Sequence, residues 1–188
     1  MNRPAPTAAV LARYPISGRI PTDLARAAVL AVLRDCENEP EVLLIRRTEQ
    51  ADDPASGQIG LPGGGVDSED SGLEDTALRE TSEEVGIDAM DLAEPPRFVR
   101  LGWVRRNRDP VAIFVAPLKA TARAPRIASP AEVAEVFWMP RSAFQRVDRV
   151  SVATTRGMRE VEATRDERHV VWGFTWKALR DLFGFAPT

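Results

Sequence analysis

One cysteine and one histidine among 188 residues leave little room for several common chemistries. Cys36 alone excludes an internal disulfide framework and a cysteine-built zinc site. His169 alone excludes any mechanism that needs a histidine pair, and its position suggests no Cys–His dyad. No apolar run approaches the roughly 20 residues of a membrane-spanning helix, nor is there the roughly 7–15-residue apolar stretch of a secretory signal. The basic excess of a protein that lives on nucleic-acid backbone is missing too: 25 Lys+Arg face 28 Asp+Glu, a formal net charge of -3. What is present, 44% hydrophobic and 28% charged residues, is the balance of a folded domain with a real core. Its chemistry falls to carboxylates, hydroxyls, arginines, lysines or a metal.

Near the start, Arg3, Arg13 and Arg19 precede the first acidic residue, Asp23, the charge bias of a transit peptide. Pro4, Pro6, Pro15 and Pro21 break the continuous amphipathic helix such a peptide requires. Residues 1–23 are therefore expected to form an arm that packs on the domain or mediates contacts between copies. Residues 24–188 are expected to be one domain of a cytoplasmic protein, with a homodimer among the assemblies open to it.

Residues 27–33 (AAVLAVL) and 41–46 (EVLLIR) are short apolar runs around a polar link, the pattern of two strands joined by a turn. Residues 47–58 are polar and read as a loop. Residues 59–65 (IGLPGGG) read as a brief extended piece ending in a glycine turn. From Leu73 to Val85 the period becomes helical, with Leu73, Ala77, Leu78, Thr81 and Val85 on one side and Gly86 placed for a left-handed cap. Strands are expected at 97–104, 111–118 and 133–139, and an amphipathic closing helix at 172–185. Strands and helices interleaved without a strict βαβ rhythm predict an α+β fold, a sandwich built on a mixed sheet.

The helix carries an oddity. Glu80, Glu83 and Glu84 stand at i, i+3 and i+4, so they share one side. Like charges at that spacing destabilise a helix by roughly 0.2–0.5 kcal/mol per pair, and anions in the last turns forfeit about 0.3–1 kcal/mol against the dipole. Arg79 offsets part of this through Glu83. The glycine turn just upstream lets backbone carbonyls approach a ligand closely, and Asp67, Glu69 and Asp70 follow it. Clustered carboxylates beside a free carbonyl make a hard-oxygen site suited to Mg²⁺ or Mn²⁺.

The segment Arg79-Glu80-Thr81-Ser82-Glu83-Glu84-Val85-Gly86-Ile87 resembles the second half of the Nudix box, G-x5-E-x7-R-E-U-x-E-E-x-G-U with U aliphatic. In the first half, Asp70 stands where the box has Glu, and eight residues instead of seven separate it from Arg79. That spacing is similar to the subgroup related to coenzyme A pyrophosphatases. The resemblance implies an α/β/α sandwich and a Mg²⁺- or Mn²⁺-dependent pyrophosphohydrolase of a nucleoside diphosphate linked to another moiety. It further implies Glu80 and Glu84 as metal ligands, Glu83 as a ligand or water-binding group, and the Gly63 carbonyl completing the shell. Arg79 would orient the glutamates by ion pairing. Members of the family place the general base in the box or on a distant loop, and Glu132 and Glu135 are the loop candidates here. Arg46, Arg47, Arg105, Arg106 and Arg108 are the cations available to phosphate oxygens, whose geometry suits the guanidinium fork.

The subgroup's upstream signature, L-L-x-x-R-[ST] followed by H-x-G-Q-[VI]-x-[FL]-P-G-G, is matched by Leu43 to Thr48 and by Gly57-Gln58-Ile59-Gly60-Leu61-Pro62-Gly63-Gly64. Ala55 stands at the His position, and the stretch from Thr48 to Gly57 is one residue longer. Coenzyme A or an acyl derivative is the leading substrate. NADH, ADP-ribose, a nucleotide sugar or a nucleoside triphosphate stay open, as does a Nudix-fold regulatory module without catalysis, although the three box glutamates are all retained. The expected partner is a small nucleotide-type molecule, with no nucleic acid and no membrane. Trp103 and Trp138 could stack on a base, but at strand positions core packing is the expectation. His169 is expected to be structural, as is the tract Trp172-Gly173-Phe174-Thr175, which resembles one in the same subgroup.

Overall fold

A computed structural model describes residues 6–14, 25–36, 39–50, 56–103, 110–154 and 157–185. Its centre is a seven-stranded mixed sheet. Strand β1 (Ala27–Cys36) pairs antiparallel with β2 (Glu39–Arg47), but only from Leu33–Cys36 against Glu39–Val42. Beyond that the two strands diverge, and the glycine-rich segment fills the fork. Its first piece, β3 (Ile59–Gly60), pairs with the end of β2, and its second, β4 (Gly63–Gly65), pairs with the start of β1. Farther along the chain, β5 (Arg97–Trp103) and β6 (Pro110–Pro117) lie on the other side of β1, with β6 parallel to β1 and β5 antiparallel beyond it. The remaining strand of this sheet, β7 (Val133–Pro140), runs along the outer edge of β2.

Both faces of this sheet are covered, which is why its central strands read as unbroken apolar runs and do not alternate with polar residues. Period-two geometry sends Val29, Ala31 and Leu33 to one core and Ala28, Leu30 and Val32 to the other. Strands β2 and β6 divide the same way: Val42, Leu44, Ile113 and Val115 face one side, Leu43, Ile45, Ala112 and Phe114 the other. The first side is covered by helix α1 (Pro6–Leu11), through Val10 and Leu11, and by the closing helix α3 (Gly173–Phe183), through Trp176, Leu179, Leu182 and Phe183. The second is covered by α2 (Leu73–Val85), through Leu73, Ala77 and Val85. The result is the expected α/β/α sandwich.

Helix α2 has the expected bounds. Gly86 takes the left-handed conformation at φ 68, and its N–H reaches the Ser82 carbonyl. Thr81, at a position that the family pattern reserves for an aliphatic residue, is fully buried, and its hydroxyl donates to the Ala77 carbonyl at 2.7 Å. That back-bond is what makes a hydroxyl tolerable inside the core.

Two expectations are corrected, and one sheet is added to them. Trp172 ends strand β10 (Val170–Trp172) and does not open the helix, which starts at Gly173. Trp103 is 61% exposed; it is the last paired residue of β5, the strand at the edge of the sheet among the described residues. A second, three-stranded sheet of β8 (Asp148–Thr154), β9 (Gly157–Arg165) and β10 was not anticipated. Within residues 6–14, Pro6 opens α1 at the one helical position where proline is at ease. Arg97 donates to the Leu11 and Tyr14 carbonyls, tying that segment to β5.

Candidate active site

The divergence of β1 and β2 creates the site. Two glycines of the fork answer to different close approaches, Gly64 to a carboxylate of α2 and Gly63 to the backbone of β1. A β-carbon on Gly64 would sit 2.5 Å from the Glu80 carboxyl carbon, and one on Gly63, whose φ is +146, would sit 2.3 Å from the Ala28 carbonyl oxygen. The Gly63 N–H donates to Glu84 Oε2 at 2.9 Å. Gly63, nominated for its carbonyl, therefore also anchors the buried carboxylate through its N–H.

Glu84 is 2% exposed. Burial pushes its pKa up to about 7; the Gly63 N–H works against this, the negative charges of Glu80 and Glu132 reinforce it, and Arg47 opposes them. Glu80 is also raised, by burial first, with Arg79 opposing and Glu83 and Glu132 adding. Glu80, Glu84 and Glu132 thus repel one another across a shared space. Arg47 reaches the same space because it shares parity with Leu43 and Ile45, the α2 face of β2.

Arg79 organises the other side of this cluster. Its Nε and Nη2 take both oxygens of Asp70 at 2.9 and 3.1 Å, Nη1 holds Glu80 at 3.0 Å and Glu83 at 3.1 Å, and Nη2 also donates to the Gly65 carbonyl. The Arg79 guanidinium, helped by the Asp67 N–H and the Thr76 hydroxyl, holds Asp70 well below the usual carboxylate range. In turn the same pairs raise Arg79 further above its ordinary value. Asp70 therefore grips Arg79 and stands away from the shared space of Glu80, Glu84 and Glu132.

The donor set fits a hard divalent cation. It is all oxygen, two of its carboxylates are raised by burial and mutual repulsion, and the glycine backbone permits close approach. Among the described residues, no three Asp, Glu, His or Cys side chains already converge on one ligating point; Arg79 holds Glu80 and Glu83. Glu80, Glu84, Glu83 and the Gly63 carbonyl are the groups that would hold the ion.

The other sequence candidates part company. Glu135 lies on the far face of the sheet, paired with Arg46 at 3.0 Å and Arg168 at 2.7 Å, and within 3.4 Å of His169 Nε2. Neither Glu135 nor Arg46 belongs to the carboxylate cluster. Strand parity carried that signal in the sequence: Arg46 shares a face with Leu44, Arg47 with Ile45. Arg105, Arg106 and Arg108 lie outside the described residues. His169 is buried, bonded through Nδ1 to Asp166 at 3.0 Å and stacked on Phe137 at 3.8 Å. Trp138 carries the Arg34 guanidinium 4.2 Å above its ring, and Phe174 packs onto Gly102.

Fold and site together define a cluster of hard oxygen donors on a mixed-sheet α/β/α frame. The profile of the NUDIX domain matches residues 24–157. The Nudix hydrolase NudL of Citrobacter koseri, described as uncharacterized, is 32% identical over 178 residues, spanning 92% of this chain and 88% of that protein. NudL of Salmonella paratyphi B, described the same way, is 34% identical over 162 residues, spanning 83% and 79%. Among solved structures, a MutT/nudix family protein from Enterococcus faecalis matches with a TM-score of 0.55 at 16% identity, over 97% of this chain and 69% of that one. The Nudix hydrolase RenU of M. smegmatis matches at 0.51 and 18%, over 88% and 89%. The chain belongs to the Nudix family and is one of its pyrophosphohydrolases.

Proposed function

We propose that this enzyme is a Mg²⁺- or Mn²⁺-dependent hydrolase of the diphosphate in coenzyme A or an acyl-coenzyme A, acting in the cytoplasm on a free small molecule. The metal reading is carried by one observation: the buried Glu84 lies on Gly63 and the half-buried Glu80 on Gly64, and each is raised by burial and by neighbouring carboxylates among the described residues. The substrate reading is supported by the course of the chain, since residues 57–64, which resemble the coenzyme A signature, run through β3 directly into that glycine fork.

A bound divalent ion supplies charge neutralisation for the phosphoryl oxygens and a water of lowered pKa. Glu80 and Glu84 would hold it, with Glu83 and the Gly63 carbonyl available to complete the shell. Arg79, fixed by Asp70, sets the direction of Glu80 and Glu83 and touches no reacting atom. Glu132, an exposed carboxylate beside the cluster, accepts the proton of the attacking water. Arg47 faces the same space and contacts a phosphate oxygen, with Arg105 and Arg106 assigned the same work.

The test is hydrolysis of a panel holding coenzyme A, acetyl-coenzyme A, NADH, ADP-ribose, a nucleotide sugar and deoxynucleoside triphosphates, in Mg²⁺ and in EDTA. The expected result is metal-dependent release of adenosine 3′,5′-bisphosphate from coenzyme A, absent in Glu84→Gln. Turnover of another panel member alone moves the substrate and keeps the site. Metal binding without turnover favours a regulatory module.

A further inference from the structure

The Glu132 carboxylate has no hydrogen-bond partner among the described residues, so its placement rests on its backbone. That backbone is stapled at two ends. On one side, the Arg126 and Ala128 N–H groups donate to the Val85 and Glu84 carbonyls at the end of α2, both at 3.0 Å. A tight turn follows, in which the Glu132 and Val133 N–H groups both reach the Ser129 carbonyl, at 3.1 and 2.9 Å. On the other side, the extension of β2 takes hold of two successive carbonyls. The Thr48 N–H donates to Glu132 O at 2.9 Å, the Thr48 hydroxyl donates to Ala131 O at 2.7 Å, and Gln50 Nε2 donates to the same Ala131 oxygen at 3.0 Å.

Among the described residues, Thr48 and Gln50 are thus the two whose side chains hold the turn against the extension of β2. We propose that Thr48, backed by Gln50, is a positioning residue for catalysis: its hydroxyl holds the 129–132 turn so that Glu132 is presented to the carboxylate cluster of α2. The inference rests on the reading of Glu132 as the proton acceptor. Thr48 is half-buried and Gln50 exposed, so both hold the turn at the surface, where water competes for the Ala131 carbonyl when the hydroxyl is removed. The fold then survives while the turn loosens, and geometry near reacting atoms is unforgiving of small displacements.

The experiment uses the full chain with Thr48→Val, Thr48→Ser, Glu132→Gln and the double variant Thr48→Val/Glu132→Gln. Activity is read on the panel compound that the wild type turns over fastest, and amide hydrogen exchange is read on the metal-free proteins. Glu132→Gln is expected to lower kcat about 100-fold, the low end of general-base effects. Thr48→Val is expected to lower kcat about tenfold with KM within twofold, Thr48→Ser to restore most of it, and the double variant to be no slower than Glu132→Gln alone. Exchange at the Glu132 and Val133 amides should quicken about tenfold in Thr48→Val while the α2 amides stay as they are. An equal tenfold penalty in the Glu132→Gln background, or unchanged exchange at 132 and 133, would overturn the positioning role. An unaffected kcat in Glu132→Gln would instead overturn the reading of Glu132. If the wild type turns over no panel compound, the exchange arm still decides the staple.

Discussion

Two adjacent glycines at the fork serve different ends, and substitutions separate them. The three atoms nearest a methyl on Gly64 all belong to the carboxylate tip of Glu80, the far end of a flexible side chain that can swing aside by giving up its Arg79 contact. Gly64→Ala is therefore expected to fold with a melting temperature within a few degrees of wild type, yet to lose at least tenfold in Mn²⁺ affinity by calorimetric titration. A methyl on Gly63 meets the Ala28 carbonyl and the Val29 backbone at 2.3 and 2.6 Å, in a backbone conformation closed to L-residues. Gly63→Ala is expected to cost about 2–4 kcal/mol in chemical denaturation. Asp70 adds a pH signature. Its folded-state pKa lies below its ordinary 3.8, so its contribution is complete above that pH and fades as pH falls through the folded value. The stability gap between wild type and Asp70→Asn should accordingly be widest near about pH 6 and shrink below about pH 3, read from denaturant midpoints at both. A gap that stays constant with pH would remove Asp70 from the role of anchoring Arg79.

At the scale of elements, the reach of the sequence followed burial. Strands β1, β2 and β6 are sandwiched on both faces, so their apolar runs stand out, and α2 announced itself through both its period and Gly86. The hairpin of β8 and β9 left no such mark. Strand β8 alternates but is nowhere fully buried, and β9 buries only Ala163 and Thr164, so neither carries the apolar run that marks a sandwiched strand. Helix α1 is six residues long, too short for its period to stand out, and it begins at Pro6, which costs nothing at the first helical position. The carboxylate triplet was legible because helical spacing is rigid; the sorting of Arg46 from Arg47 and of Glu132 from Glu135 needed strand parity and the pairing of β7 with β2. Helix α1 also yields a measurement. Leu11 is 3% exposed within the core shared with α3, so Leu11→Ala is expected to cost about 2–4 kcal/mol. Wild-type stability in that variant would mean that α1 does not stay docked in solution.

Over the whole molecule, stability and function meet at the same few charges. The site gathers Glu80, Glu83, Glu84 and Glu132 against Arg79 and Arg47, and Arg79 is already committed to Asp70. Among the described residues, folding therefore brings together more carboxylates than cations there, and a divalent cation bound only by the folded state adds RT ln(1 + [L]/Kd) to stability. At a hundredfold excess over Kd this is about 2.7 kcal/mol, and a domain of this size gains roughly 2–4 °C per kcal/mol. Thermal unfolding of the wild type should then rise by about 5–10 °C in saturating Mn²⁺, and EDTA should reverse the rise. In Glu84→Gln the rise should vanish. Without metal, that variant should melt no lower than wild type at about pH 8, because a neutral amide replaces a buried carboxylate and can still accept the Gly63 N–H. These two results together separate a binding centre from a merely acidic helix. A solvated acidic face would show no metal-dependent shift in either protein, whereas a structural role for the Glu84 charge would leave Glu84→Gln unstable with and without the ion.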